Sequence, residues 1–123
     1  MPSRQEVSSF IGATFRSVWA LELLCFLRQN RDRALTHQEM VAGLRGSDLV
    51  VTQSVESLTA AGLVLIEREG SARYRPADPG LDKLVGRTGA RYAKSPGAVR
   101  RRIVAAASHS YYAGLLAAGV RKD

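Results

Sequence analysis

The stretch from Leu35 to Tyr74 constrains this chain most, because its local signals specify four elements in a fixed order. Thr36 and Glu39 form a capping box, with Leu35 and Met40 placed as a hydrophobic staple, so a helix starts here and turns Met40, Val41 and Leu44 inward. Arg45-Gly46-Ser47-Asp48 then offers a glycine for a left-handed stop and two N-cap residues for a second helix, which is how a sharp interhelical turn is written. Val51, Val55 and Leu58 give that helix its inward face. Gly62 ends it. Leu63-Val64-Leu65-Ile66 reads as a strand, Glu69-Gly70-Ser71 as a turn, and Arg73-Tyr74-Arg75 as the returning strand, which Pro76 terminates.

The run Ser54-Val55-Glu56-Ser57-Leu58-Thr59-Ala60-Ala61-Gly62-Leu63-Val64, followed by a short hairpin ending in Tyr74, resembles the recognition helix and wing of bacterial winged-helix transcription regulators of the MarR and PadR kind. The resemblance covers about a third of the chain. It implies a winged helix-turn-helix in which the second helix enters the major groove and the wing touches phosphates. The expected fold class is mainly α with a small β-hairpin wing, carrying additional helices at both ends. The segments are a first helix over 8–29, the helix-turn-helix and wing over 35–76, and C-terminal helices over 79–121 that serve dimerisation.

At 123 residues a single domain with a substantial core is expected. The net charge of +7 points to a polyanionic partner, either nucleic acid or an acidic protein surface. The start Met1-Pro2-Ser3-Arg4-Gln5-Glu6 has no apolar signal core, and no stretch approaches the ~20 apolar residues of a membrane span, so the expected location is the cytoplasm, with no membrane partner. One cysteine, Cys25, excludes an internal disulfide and a multi-cysteine zinc site. Flanked by Leu24 and Phe26, it reads as a buried, inert thiol.

Residues 8–29 read as one long helix, with Phe10, Ile11, Phe15, Val18 and Trp19 at helical spacing and an almost unbroken apolar run from Leu21 to Leu27. A second subunit is the economical cover for so much apolar surface. Trp19 has a second reading as the wall of a ligand pocket. Glu22, the lone charge in the run, needs an arginine partner or a solvated edge. Asp78-Pro79 and Ser95-Pro96 each signal a capped helix start, the first carrying Leu81, Leu84, Val85, Thr88 and Tyr92, the second Val99 and Ile103. Gly86 and Gly89 cost the first of these helices about 1 kcal/mol each unless a neighbour packs against them. A last helix is expected from His109 to Val120, its small residues open to close approach by another helix. Phe15, Val18, Trp19, Leu23, Tyr112, Leu115 and Leu116 are the expected homodimer contacts.

The two histidines, His37 and His109, have no carboxylate or cysteine at ligand spacing, and no phosphate-binding glycine loop is present. The reading is therefore a non-enzymatic protein without cofactor or metal. The resemblance places Leu49, Val50, Thr52, Gln53 and Glu56 toward the groove. Thr36, Arg45 and Ser47 join them around the turn, and Arg68, Arg73 and Arg75 form the phosphate-binding set on the wing. Charge complicates this assignment, because Leu35 to Leu63 holds one basic residue, Arg45, against Glu39, Asp48 and Glu56, whereas Leu81 to Asp123 holds nine basic and two acidic residues. Leu49, Val50 and Glu56 also depart from the small polar and basic residues usual at such positions. One account has Leu49 and Val50 touch thymine methyls while Gln53 pairs with an adenine edge. A second makes the Leu49 and Val50 face the dock for another regulatory protein. A third has them complete the packing of the turn and nothing more.

Overall fold

The computed structural model describes residues 2–107. Along them run α1 (Arg4–Thr14), α2 (Val18–Gln29), α3 (His37–Leu44), α4 (Asp48–Ala60), β1 (Val64–Ile66), a 3-10 turn at Arg68–Gly70, β2 (Ala72–Tyr74) and α5 (Pro79–Lys94). A sixth helix, α6, covers residues 96–107. The helix expected from His109 to Val120 lies outside the described residues.

The single helix expected over 8–29 is in fact two helices, α1 and α2, that meet at 110°. Ser3 and Glu6 close a reciprocal capping box at the start of α1, and the Ser17 hydroxyl accepts the Ala20 N–H to start α2. Between them Phe15 is extended, and its ring is driven into the core edge-on to Phe10. The apolar spacing runs straight through this corner because both helices face the same core.

That core is built around α2. Ala20, Leu21, Leu23, Leu24 and Leu27 are all buried within one protomer, with α3, α4 and β2 packed against the helix. The surplus of apolar surface that argued for a second subunit is therefore covered by the chain itself. Gly43 lets α3 sit directly on the Phe26 ring, since a Cβ there would lie 2.4 Å from it. Glu22 sits half-buried rather than in the core: the Tyr92 hydroxyl donates to it at 2.8 Å, and Arg100 donates to Tyr92 in turn.

The local signals of the central stretch are realised. Thr36 and Glu39 form both halves of the capping box, and Leu35 and Met40 are both buried. The left-handed residue of the turn, however, is Arg45 (φ 56°), not Gly46, because α3 ends one residue earlier than the glycine. Gly62 does adopt the left-handed conformation (φ 77°). Its N–H reaches the Thr59 carbonyl and the Leu63 N–H reaches the Leu58 carbonyl, so α4 ends in a Schellman motif with Leu58 and Leu63 both fully buried.

β1 and β2 pair antiparallel with Val64 opposite Tyr74 and Ile66 opposite Ala72. Leu35 adds a one-residue bridge to Ala72, through hydrogen bonds of 2.8 and 2.9 Å, on the other side of β2. The result is a mainly α fold with a small β-hairpin wing, of winged-helix-type topology, with additional N- and C-terminal helices. α5 starts at an Asp78 cap with Pro79 in its first turn, and α6 turns Val99 and Ile103 into the core. Arg28 of α2 spans to both later elements: it lies over the Tyr74 ring, 3.7 Å from Asp82 and against Gly86, where a Cβ would be 3.2 Å from its guanidinium. Gly86 thus has the packed neighbour that justifies it; Gly89 has none among the described residues.

The two left-handed residues that follow helices, Arg45 and Gly62, make opposite predictions. Gly62→Ala should destabilise the chain by about 1 to 2 kcal/mol, and Arg45→Gly should recover strain of the same order. Chemical denaturation of the two variants beside the parent checks both signs.

Candidate nucleic-acid interface

α4 presents its outward face because Val51, Ser54 and Leu58 lock the opposite face against α2. Leu49, Thr52, Gln53 and Glu56 are exposed, Leu49 by 64%, while Val50 is half-buried. Two clefts flank this face. One, of about 510 Å3, brings Thr52 and Glu56 together with His37 and Met40 of α3 and with Ile66 and Gly70 of the hairpin. The other, of about 290 Å3, brings Val50 and Gln53 together with Arg16, Ser17 and Trp19. The exposed face of α4 is thus bordered by the hairpin along its middle and end on one side and by the corner between α1 and α2 along its first half on the other.

The cations divide unevenly around it. Arg45, in the turn, and Arg16, at the corner, are exposed and form no ion pair among the described residues. Arg16 was not legible as a site residue, because in a continuous helix it has no reason to approach α4. On the hairpin, Arg68 is exposed at the tip. Arg73 is not available as expected: its Nε donates to Glu67 at 2.7 Å, which neutralises it within the hairpin. Arg75 is exposed but borders a different cleft, beside Asp78 and Asp82 near the start of α5. The expected three-arginine phosphate surface is therefore reduced at the tip to Arg68.

Thr36 and Ser47 are also committed, since each hydroxyl accepts a backbone N–H as a helix cap. His37 has a carboxylate partner that its sequence position did not reveal: Nε2–H donates to Asp48 at 2.9 Å, joining the starts of α3 and α4. Among the expected dimer contacts, Phe15 and Leu23 are corrected to core residues buried inside the protomer. Val18 is half-buried and Trp19 is 39% exposed at the α4 cleft. Tyr112, Leu115 and Leu116 lie outside the described residues.

Cys25 is half-buried, and burial pushes its thiol above the usual range. Among the described residues, no group of three or more His, Cys, Asp or Glu side chains is arranged to hold a metal ion, and no single helix is long and apolar enough to cross a membrane. No family model, no characterised protein and no solved structure matches the chain. The geometry above therefore carries the functional reading by itself.

The platform under α4 depends on the start of α3. Arg33, 2.8 Å from Glu39, and then the Thr36 N–H hold the Glu39 carboxyl well below its usual range, at about 2. A carboxyl depressed in the folded state stabilises the fold above its unfolded value and loses that contribution as the pH falls. Glu39→Gln should lower the melting temperature at neutral pH, and the gap to the parent should close between pH 4.5 and about 2. Melting curves across that window check the sign.

Proposed function

We propose that the chain is a sequence-specific DNA-binding transcription regulator of the MarR and PadR kind, a binding protein and not a catalyst. The observation that carries this reading is the outward face of α4, left uncovered between Arg16 and Arg45 on one flank and the hairpin tip with Arg68 on the other. In this reading α4 enters the major groove. Gln53 reads an adenine edge, Thr52 assists, and Leu49 contacts a thymine methyl. Arg16, Arg45 and Arg68 bind phosphates on either side. A homodimer would set two such helices on successive turns of the duplex and so add binding energy to a helix with few charges. Among the described residues Val18 and Trp19 remain for that contact.

A second reading is favoured by one specific observation. Leu49 is large, apolar and exposed beside Asp48 and the half-buried Val50, a surface suited to docking a protein partner. Binding to genomic fragments at several salt concentrations separates the two, because the slope counts released counterions and a specific band that survives competition reports base reading. A complete lack of salt-dependent binding would transfer the reading to the protein dock.

Within the DNA reading, Arg68→Ala should reduce the salt slope by about one, while Arg73→Ala should change it little because Glu67 already neutralises that side chain. Gln53→Ala should keep overall affinity for random DNA and lose ~1 to 3 kcal/mol of discrimination at one base pair. Equal slopes for the two arginine variants would contradict the placement of phosphates at the hairpin tip.

A further inference from the structure

A second concentration of basic side chains lies away from α4, in a cleft of about 760 Å3 between α1, α5 and α6. Arg4, Arg87, Arg91, Lys94 and Arg102 line it, and among the described residues no carboxylate does. Two of these guanidiniums are held in place by neutral acceptors on the same residue. Arg91 donates to the Ser8 hydroxyl at 2.8 Å and to the Arg4 carbonyl at 3.2 Å, and Arg102 donates to the Ser8 carbonyl at 3.2 Å. Arg102 lies across Gly12, where a Cβ would come within 2.7 Å of its guanidinium, so the glycine leaves room for this approach. The nearest acid on α1, Glu6, is turned to the helix start, where it accepts the Ser3 N–H.

We propose that this cleft is a binding site for an oligophosphate, meaning adjacent phosphate groups carried either by a small nucleotide-like molecule or by a nucleic-acid backbone. Burying opposite charges together is the usual way to hold arginines close, and here the fold converges them with no acid among the described residues of the cleft. Each guanidinium has five N–H donors, and the contacts above use two on Arg91 and one on Arg102. Planar forks with donors to spare match phosphate oxygens in pairs, and Lys94 adds a point charge at the rim. A single carboxylate would leave most of the local charge uncompensated, whereas linked phosphates offset it. The volume lies within the range of small-molecule sites, about 300 to 1,000 Å3. Val7, Ile11 and Val99, all nearly fully buried, close the floor. The cleft contains no residue of α3, α4 or the hairpin, so this site and the DNA reading of α4 stand or fall separately.

Calorimetric titration of the full chain with tripolyphosphate, in about 0.15 M salt to screen diffuse attraction, tests it. Saturable binding at one site per chain is expected, weakened about tenfold or more by the double reversal Lys94→Glu and Arg102→Glu. Lys94→Glu alone, at an exposed position, should give a smaller loss in the same direction, and melting curves confirm that each variant is folded. Displacement of tripolyphosphate by a short DNA duplex assigns the site to a nucleic-acid backbone, and failure to displace it assigns the site to a small molecule. Absence of saturable binding, or equal binding by folded reversal variants, overturns the proposal.

Discussion

Everything in this fold depends on removing α2 from water. Four of its leucines are buried together with Ala20, and the cost of leaving any one of the leucines exposed is about 1.5 to 3 kcal/mol, which rivals a large share of a small domain's net stability. The cover comes from α3, α4 and β2, the elements that also form the outward-facing site. The site is therefore positioned by a hydrophobic requirement unrelated to its chemistry. Both flanks of α4 inherit their geometry from the same source: Trp19 and Arg16 because α2 must begin where α1 turns away, and the hairpin because β2 lies on α2. The charged groups of α2 serve the same end, with Glu22 held through Tyr92 to α5 and α6, and Arg28 set between the wing and α5.

Charge is distributed by a different logic. Some cations are spent inside the fold: Arg73 on Glu67, Arg33 on Glu39 and Arg28 near Asp82. The net charge of the hairpin does not show which arginine is neutralised; Glu67, six residues before Arg73 but adjacent to it in space, is the acid that takes it. Tyr74 shows the same economy, donating its hydroxyl to Asp82 at 2.6 Å, with burial and that hydrogen bond pushing its ionisation well above the usual range. Other cations border the start of α4, the hairpin tip and the cleft between α1, α5 and α6.

The elements were legible where local chemistry determines them. A capping box needs two residues three apart, and a Schellman stop needs a glycine and two apolar residues, so α3, the end of α4 and the starts of α5 and α6 could be read directly. The corner at Phe15 could not be read from spacing, because an apolar pattern does not distinguish a straight helix from two that bury the same face; Ser17 as a cap was the available signal. The left-handed Arg45 was misplaced by one residue because glycine is preferred there but not required. The outward residues of α4 followed from the inward ones by periodicity. Arg16 and the Glu67–Arg73 pair depend on tertiary approach and left no local trace. The same holds for the contact between His37 and Asp48, which joins two helix starts across the turn.

The Leu35 bridge to Ala72 makes β2 the middle of the small sheet and leaves β1 as its open edge. That edge carries Leu65 and Ile66, both more than 40% exposed, which is the kind of strand that recruits copies of itself into continuous sheets. Its length is three residues. Glu67, Arg68 and Glu69 follow at once, and the turn with φ 61° at Glu69 and 78° at Gly70 bends the backbone out of register with any strand laid alongside. A chain with so apolar a wing therefore limits unwanted self-association by keeping the edge short and charged at its end, and extending β1 by even two apolar residues would remove that protection.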